Sequence, residues 1–262
     1  MAVKTDTRAA KSADKSLWLP ARDGTLSWRI IRQIRAALFA GELKTGERLG
    51  GEIELAGRFG VSRMAIRDAL RSLEAAGIVD IRVGAKGGAY IAQGSPERFA
   101  DALAIQLKLI GVSAAEVFDA QIAIEVTSTE MAAQQANETD LAALRDLLKA
   151  QREQRHSKAR FTELSMRFHE TLVEASHNRA LIAQFKALRF VLEPLYARRL
   201  TDEVAERVIA SNAQLLAKIE ARDAEGARVL MQRRLQIVRA RQLAHGIETR
   251  PAEDRTEATA SD

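Results

Sequence analysis

The stretch EIELAGRFGVSRMAIRDALRSLEAAGIV, residues 52–79, leaves a chain few ways to fold. EIELAGRF (52–59) reads as a helix of barely two turns, with Ile53, Leu55, Ala56 and Phe59 as its apolar positions, and Gly60 ends it. Ser62 suits the next N-cap, because its hydroxyl can accept from the exposed N–H groups of a first turn. Apolar residues at 66, 69, 70, 73 and 76 then recur at helical spacing until Gly77. Helix, short glycine-bearing turn, helix is the helix-turn-helix pattern. IVDIRV (78–83) alternates Val79, Ile81 and Val83 with Asp80 and Arg82, as a half-buried strand does. GAKGG (84–88) supplies a turn and AYIA (89–92) a returning strand, so a β-hairpin wing follows the second helix.

Upstream, LSWRIIRQIRAALFAGEL (26–43) places Trp28, Ile31, Ile34, Leu38 and Phe39 at helical spacing, with Gly41 as a stop. KTGERLGG (44–51) reads as a turn-rich connection, and residues 1–22 as a polar, Lys-rich flexible tail. QGSPER (93–98) is a linker whose Pro96 stands where a helix can begin. Beyond it no strand signal appears. Helical periodicity fills 97–110, 114–135, 138–155, 158–176, 178–197, 202–221 and 223–245, with Gly111, Asn137 and Asn178 in the breaks. Short loops between such helices imply an antiparallel bundle. The expected fold class is mostly α: an N-terminal winged helix-turn-helix over 23–92, then an all-α bundle over 99–246. A polar tail, expected to be disordered, occupies 247–262.

Composition narrows the function. Of 262 residues, 47% are hydrophobic and 29% charged, and there are no cysteines, which excludes disulfides and thiolate metal sites. The N-terminal stretch lacks an apolar signal core and no run is long enough to cross a bilayer, so a cytoplasmic protein is expected. Residues 1–92 hold 16 Lys/Arg against 10 Asp/Glu, a net +6, whereas 93–262 hold 24 against 25, a net −1. A basic front half suits an anionic polymer.

Arg63, Arg67 and Arg71 fall within a band of about 80° on their helix, away from its apolar side. Arginines this close repel one another unless anions lie between them, and each offers a planar fork to phosphate or guanine. A recognition helix reads bases mainly with its first residues. Arg63, Met64 and Arg67 are therefore expected to face bases, and Ser62 and Arg71 phosphates. The competing reading is a solvated face with Arg71 paired to Asp68 or Glu74.

Residues 27–92 resemble the winged helix-turn-helix of the GntR family of bacterial transcription regulators, through GELKTGERL, ELAGRFGVSRMAIRDALRSLEAAGIV and the Gly-rich hairpin. The resemblance implies base and backbone contacts by Arg63 and Arg67, a phosphate contact by Ser62, and Gly84 at the wing. Lys86 adds a groove or backbone contact by charge and position. One departure stands out: the family usually opens its second helix with Pro-Ser-Glu-Arg, where this chain has Gly50, Gly51, Glu52 and Ile53. An arginine that reaches DNA in relatives is thus missing.

The bundle resembles the FCD effector-binding domain of the FadR-type branch, through VFDAQIAIE (117–125), RFHETLVEASHN (167–178) and AKIEARDAEGARVLMQRRL (217–235). Many such domains hold a divalent metal through an Asp four residues before a His, plus a His on each of two later helices. Here those positions read Ser165, His169, Asn212 and Arg234. One imidazole with a hydroxyl and an amide is a poor donor set, and a guanidinium repels a cation. No metal or other cofactor is expected. Instead, Arg234 can bind an effector carboxylate directly, with Gln121, Ser165, His169 and Asn212 adding hydrogen bonds. The alternatives are a satisfied core histidine at 169, and a structural or solvent-facing Arg234, with Arg233 in its place if the helix register slips by one. His156, His177 and His245 read as surface residues.

The expected function is a DNA-binding transcription regulator, a repressor acting as a homodimer on an inverted repeat. A small organic acid would release it, and a fatty acid or acyl thioester is the alternative effector. An enzyme is the rival from another class, but no nucleophile–base pair, phosphate-binding glycine motif or metal ligand set is visible.

Overall fold

The computed structural model describes residues 25–84, 86–197 and 200–244. The two tails read from the sequence, and His245, lie outside the described residues. The chain divides into two compact units that meet at the Gly94–Ser95 bond.

The N-terminal unit contains three helices, α1 (Leu26–Phe39), α2 (Glu52–Phe59) and α3 (Arg63–Ala75), and three strands, β1 (Arg48–Gly50), β2 (Val79–Arg82) and β3 (Gly88–Ile91). The sheet is antiparallel in the order β1-β3-β2, with Val79 opposite Ile91 and Arg82 opposite Gly88. The expected two-stranded hairpin therefore gains a strand from what reads in sequence as a turn. Three residues with glycine at one end carry too little periodicity to announce a strand, and β1 exists because β3 pairs with it. The approach is close: a Cβ on Gly88 would lie 2.8 Å from the Gly50 carbonyl oxygen, and Gly88 has φ +128. Only glycine fits there.

The core of this unit joins Ile30 and Ile34 of α1 to Leu55 of α2, Ile66, Leu70 and Leu73 of α3, and Val79 and Ile91 of the sheet. The apolar face of α1 thus runs through Ile30 and Ile34. Phe39 is exposed and Trp28 half-exposed, the latter lying 4.9 Å beneath the Arg32 guanidinium. Ile53 and Ala76 are likewise exposed. In β2 the alternation stops after Val79: Ile81 and Val83 are exposed, because the outer half of the hairpin extends beyond the helices.

The second unit consists of α4 (Pro96–Leu109), α5 (Ala114–Gln135), α6 (Glu138–Glu153), α7 (Lys158–Glu174), α8 (Arg179–Ala197), α9 (Asp202–Glu220) and α10 (Ala224–Leu243). Side-chain caps set most of the starts, α7 excepted. Ser113 and Glu116 form a capping box on α5, as Asn137 and Asp140 do on α6. Three of the six expected linker residues are already helical, because Ser95 Oγ accepts from Arg98 N and Pro96 occupies the first turn. Helix α5 is the hub, packing on α7, α8, α9 and α10. One core cluster gathers Leu144, Phe168, Leu172, Leu215 and Met231; another gathers Phe118, Val173, Phe185 and Leu192. Among the described residues no helix is long and apolar enough to cross a membrane.

Candidate nucleic-acid interface and ligand cavity

In the N-terminal unit, Ser62 caps α3 by accepting from Ala65 N at 3.2 Å. The first turn of α3 has no acidic residue, so its partial positive charge is not offset within the helix. Met64 is 73% exposed, and Arg63, Arg67 and Arg71 are exposed beside it. Packing of Ile66, Ala69, Leu70 and Leu73 into the core fixes this arginine face outward. Between α3 and the hairpin lies a groove lined by Arg67, Arg71, Arg82, Gly84 and Gly87, with Glu52 and Glu74 also present. Lys86 is exposed on the hairpin turn, and the Tyr90 hydroxyl donates to its carbonyl at 2.6 Å. The structure thus brings Arg67, Arg71 and Gly84 onto one groove, with Ser62, Arg63 and Met64 at the adjoining helix start.

Two features were not legible beforehand. Arg71 makes no ion pair among the described residues; Arg67 does, with Glu52 at 2.7 Å. Hydrogen bonding by Arg67 holds the Glu52 carboxyl below the usual range against the opposing effect of partial burial, and the fields of Arg67, Arg63 and Arg71 add to it. The second feature is Arg48. It bonds Glu54 at 3.0 Å and the Gly87 carbonyl at 3.4 Å, while Arg58 grips Glu54 at 2.6 Å and the Leu49 carbonyl at 3.0 Å. This lattice ties the hairpin to α2.

In the bundle, a cavity of about 770 Å³ opens between α7, α8, α9 and α10. Ser165 and Arg234 line it, whereas Gln121, His169 and Asn212 are buried behind it. Arg234 donates from Nη1 to Asn212 Oδ1 at 2.5 Å and from Nη2 to His169 Nε2 at 3.1 Å. The opposite imidazole nitrogen, Nδ1, meets the Glu125 carboxylate. That arrangement fits the tautomer with its proton on Nδ1 and a lone pair on Nε2. Glu125 also accepts from Gln121 at 2.6 Å, and Gln121 accepts from the Tyr196 hydroxyl at 3.0 Å. On the other flank Asn212 donates to Gln151 at 2.9 Å, and Gln151 to the Leu164 carbonyl at 3.2 Å.

Glu125, Gln151 and Tyr196 were absent from the sequence-derived set. Residue type cannot separate a buried glutamate from an exposed one, although Gln121 and Glu125 do stand one turn apart on α5. Burial lowers the affinity of Arg234 for its proton, and the Glu125 charge opposes that effect. Burial also raises the Tyr196 phenol above its ordinary range, with the Glu125 charge adding. Arg233 is exposed at the rim and Arg234 forms the network, which separates the two register alternatives. His156 and His177 are exposed and paired with Asp202 and Asp140, each at 2.9 Å.

The metal-bearing arrangement does not fit these residues. A carboxylate-oriented imidazole is the usual support of a bound metal, but here a guanidinium takes up the lone pair of His169. Ser165 and Asn212 contribute only a neutral hydroxyl and amide. Among the described residues no group of three or more His, Cys, Asp or Glu could hold a metal ion.

A winged helix-turn-helix with an outward arginine face, joined to a helical unit with a ligand-sized cavity, defines a DNA-binding regulator with a small-molecule domain. The model of the gntR family of bacterial regulatory proteins matches residues 26–91, and that of the FCD domain matches residues 116–236. The chain belongs to the GntR family and carries an FCD domain: it is a transcriptional regulator and not an enzyme. It is 29% identical over 218 residues to the Uxu operon transcriptional regulator of Escherichia coli, covering 80% of this chain and 84% of that protein. It is 28% identical over 229 residues to a putative L-lactate dehydrogenase operon regulatory protein of Escherichia coli, covering 84% and 86%. Among solved structures a Streptococcus agalactiae GntR superposes with a TM-score of 0.58 at 19% identity, over 82% of this chain and 99% of that one, a likeness of fold.

Proposed function

We propose that this regulator is a homodimeric repressor that binds an inverted-repeat operator through α3 and the wing and is released by a small acid held on Arg234. The observation that carries the effector half is Arg234 itself. Its guanidinium has five N–H donors, lines the cavity, and is aimed by His169 and Asn212. A fixed fork of this kind suits a carboxylate. Gln121, His169 and Asn212 then position the arginine, while Ser165 and Tyr196 stand at the cavity wall. Relatives named for the uxu operon and an L-lactate dehydrogenase operon support a regulator of catabolic genes. Two copies on successive major-groove faces would place half-sites about one helical turn apart.

In the DNA-binding half, Arg63, Met64 and Arg67 face bases, Ser62 and Arg71 meet phosphates, and Gly84 and Lys86 bring the wing to the backbone or minor groove. Residues 23–92 read DNA and 99–246 bind effector and partner subunit, a division supported by the boundary between the two compact units at Gly94–Ser95. Release requires an effector that binds the two states with different affinity. The test is paired: Arg67→Ala should weaken operator binding by about 1–3 kcal/mol, whereas Arg234→Ala should keep operator binding and lose acid-induced release. Release that survives Arg234→Ala would refute the effector reading.

A further inference from the structure

We propose that the exposed side of α4 docks a second copy of this chain, with α4 of one protomer lying antiparallel on α4 of its partner. The inference rests on the homodimer reading and adds the surface and its geometry.

Helix α4 packs on α8. Its inner side carries Ala100, 1% exposed, with the half-buried Leu103, Ala104 and Leu107. The outer side is apolar too. Phe99, Ile105, Leu109 and Ile110 are 47, 52, 72 and 70% exposed, and Ala102 is exposed among them. At about 100° per residue these five span an arc of about 140°, interrupted only by Arg98 and Gln106. A helix with one side in water carries polar and charged residues there. A continuous apolar arc of this width is instead a contact surface.

The charges at its edge name the occupant. Ala102, Ile105 and Leu109 recur at the spacing of a helix–helix seam, and Asp101 and Lys108 stand one heptad apart on one flank of it. Among the described residues neither of those two side chains has a hydrogen bond or an ion pair. Glu97, by contrast, is answered within the chain by Lys186 at 3.6 Å. In an antiparallel pair of identical helices each flank meets itself. Asp101 then falls beside the partner's Lys108, and Lys108 beside the partner's Asp101, so the two-fold axis answers both charges twice. The same register sets Ala102 against the partner's Ile105, small against large. It also lays Arg98 over the partner's Leu109, at the negative end of that helix. A parallel pairing would set Asp101 against Gln106 and leave both charges unanswered. The seam is thus complementary to itself in size and in charge.

Sedimentation equilibrium of the full-length protein, without DNA, tests this. The unaltered chain should be a dimer, and Ile105→Asp should weaken it at least about a hundredfold. Asp101→Lys and Lys108→Asp should each weaken it on the order of tenfold, because each sets like charges together twice. Asp101→Lys/Lys108→Asp should restore the dimer to within about twofold, and that recovery also shows that the reversed chains fold. Weakening by the single reversals without recovery in the double variant would overturn the antiparallel seam. A dimer indifferent to all four variants would overturn the α4 surface and leave the homodimer reading standing. A monomeric unaltered chain would overturn both.

Discussion

The Arg67 guanidinium lies fork to fork against the Glu52 carboxylate, with Nε and Nη2 donating at 3.0 and 2.7 Å. Glu52 opens α2 and Arg67 sits in the middle of α3, so the pair spans the turn between the two helices. A guanidinium has five donors, and the edge bearing Nη1 stays available to a base while the other edge is held. Under the proposed DNA contact, Glu52 thus aims Arg67 at the expense of placing a negative charge in the groove. Glu52→Ala should raise affinity for scrambled DNA and steepen its salt dependence by about one unit. It should also cut operator preference by about 1–2 kcal/mol, the worth of one bidentate contact. Anisotropy titrations of operator and scrambled duplexes across salt concentrations check both. An unchanged preference would show that Arg67 aims itself.

The wing depends on the close approach at Gly88. A Cβ there would meet the Gly50 carbonyl oxygen at 2.8 Å, at a φ of +128 that side chains rarely adopt. Gly88→Ala should destabilise the N-terminal unit by about 1–3 kcal/mol. Operator affinity should fall, while acid binding in the bundle persists. Gly57→Ala supplies the contrast, since that glycine is an exposed α2 residue with nothing within 4 Å of an added Cβ. It should stabilise by about 0.5–1 kcal/mol. Denaturant melts of both variants, followed at the N-terminal unit, separate the two signs.

Tyr196 makes the bundle sensitive to alkali. Its hydroxyl donates to Gln121 at 3.0 Å, and burial with the Glu125 charge nearby raises its pKa in the folded chain. A raised pKa means that the folded state holds the proton after the unfolded chain releases it near pH 10. The stabilisation is therefore complete below about pH 10 and fades as pH rises through the folded value. Tyr196→Phe should cost about 1 kcal/mol at pH 8 through the lost hydrogen bond. It should also flatten the loss of stability above pH 10, as read from urea midpoints at the two pH values.

Metal chelation should leave the protein unmoved. Arg234 lies where a cation would have to meet the His169 lone pair, so EDTA or added zinc should shift the melting temperature negligibly. Elemental analysis of protein purified without chelator should find no stoichiometric zinc or nickel. One metal per chain would overturn this account of the network.

Much of the fold was legible because its signals are local. Ser62, Ser113 and Asn137 are caps that act within a turn of themselves, and the arginine face of α3 follows from helical spacing alone. What escaped depends on partners distant in sequence. Strand β1 exists through β3, about forty residues away. Glu52 acquires its role from Arg67, and Glu125 from His169, 44 residues on. Trp28 and Phe39 are apolar at the expected spacing yet face outward, since the core reads the Ile30 and Ile34 side of α1. In the bundle, Gln121, His169 and Asn212 were recognisable by position, but only packing distinguishes side chains that line a cavity from those that hold the lining in place.

Ile53 tests how far the remaining arginines carry recognition. It is 70% exposed on α2, immediately after Glu52, with no packing role to explain an isoleucine there. The resemblance to the GntR family implies an arginine at this place, one that reaches DNA. Ile53→Arg removes no buried contact, so stability should change by less than about 0.5 kcal/mol. One added phosphate contact should strengthen binding to any duplex and steepen the salt slope by about one unit. If the new arginine meets a base instead, operator affinity will rise more than affinity for scrambled DNA. Arg67→Ala in the Ile53→Arg background should then lose less than it does alone, because recognition is shared. A double-mutant cycle on both duplexes measures that coupling, and strictly additive losses would place residue 53 outside the surface that Arg67 reads.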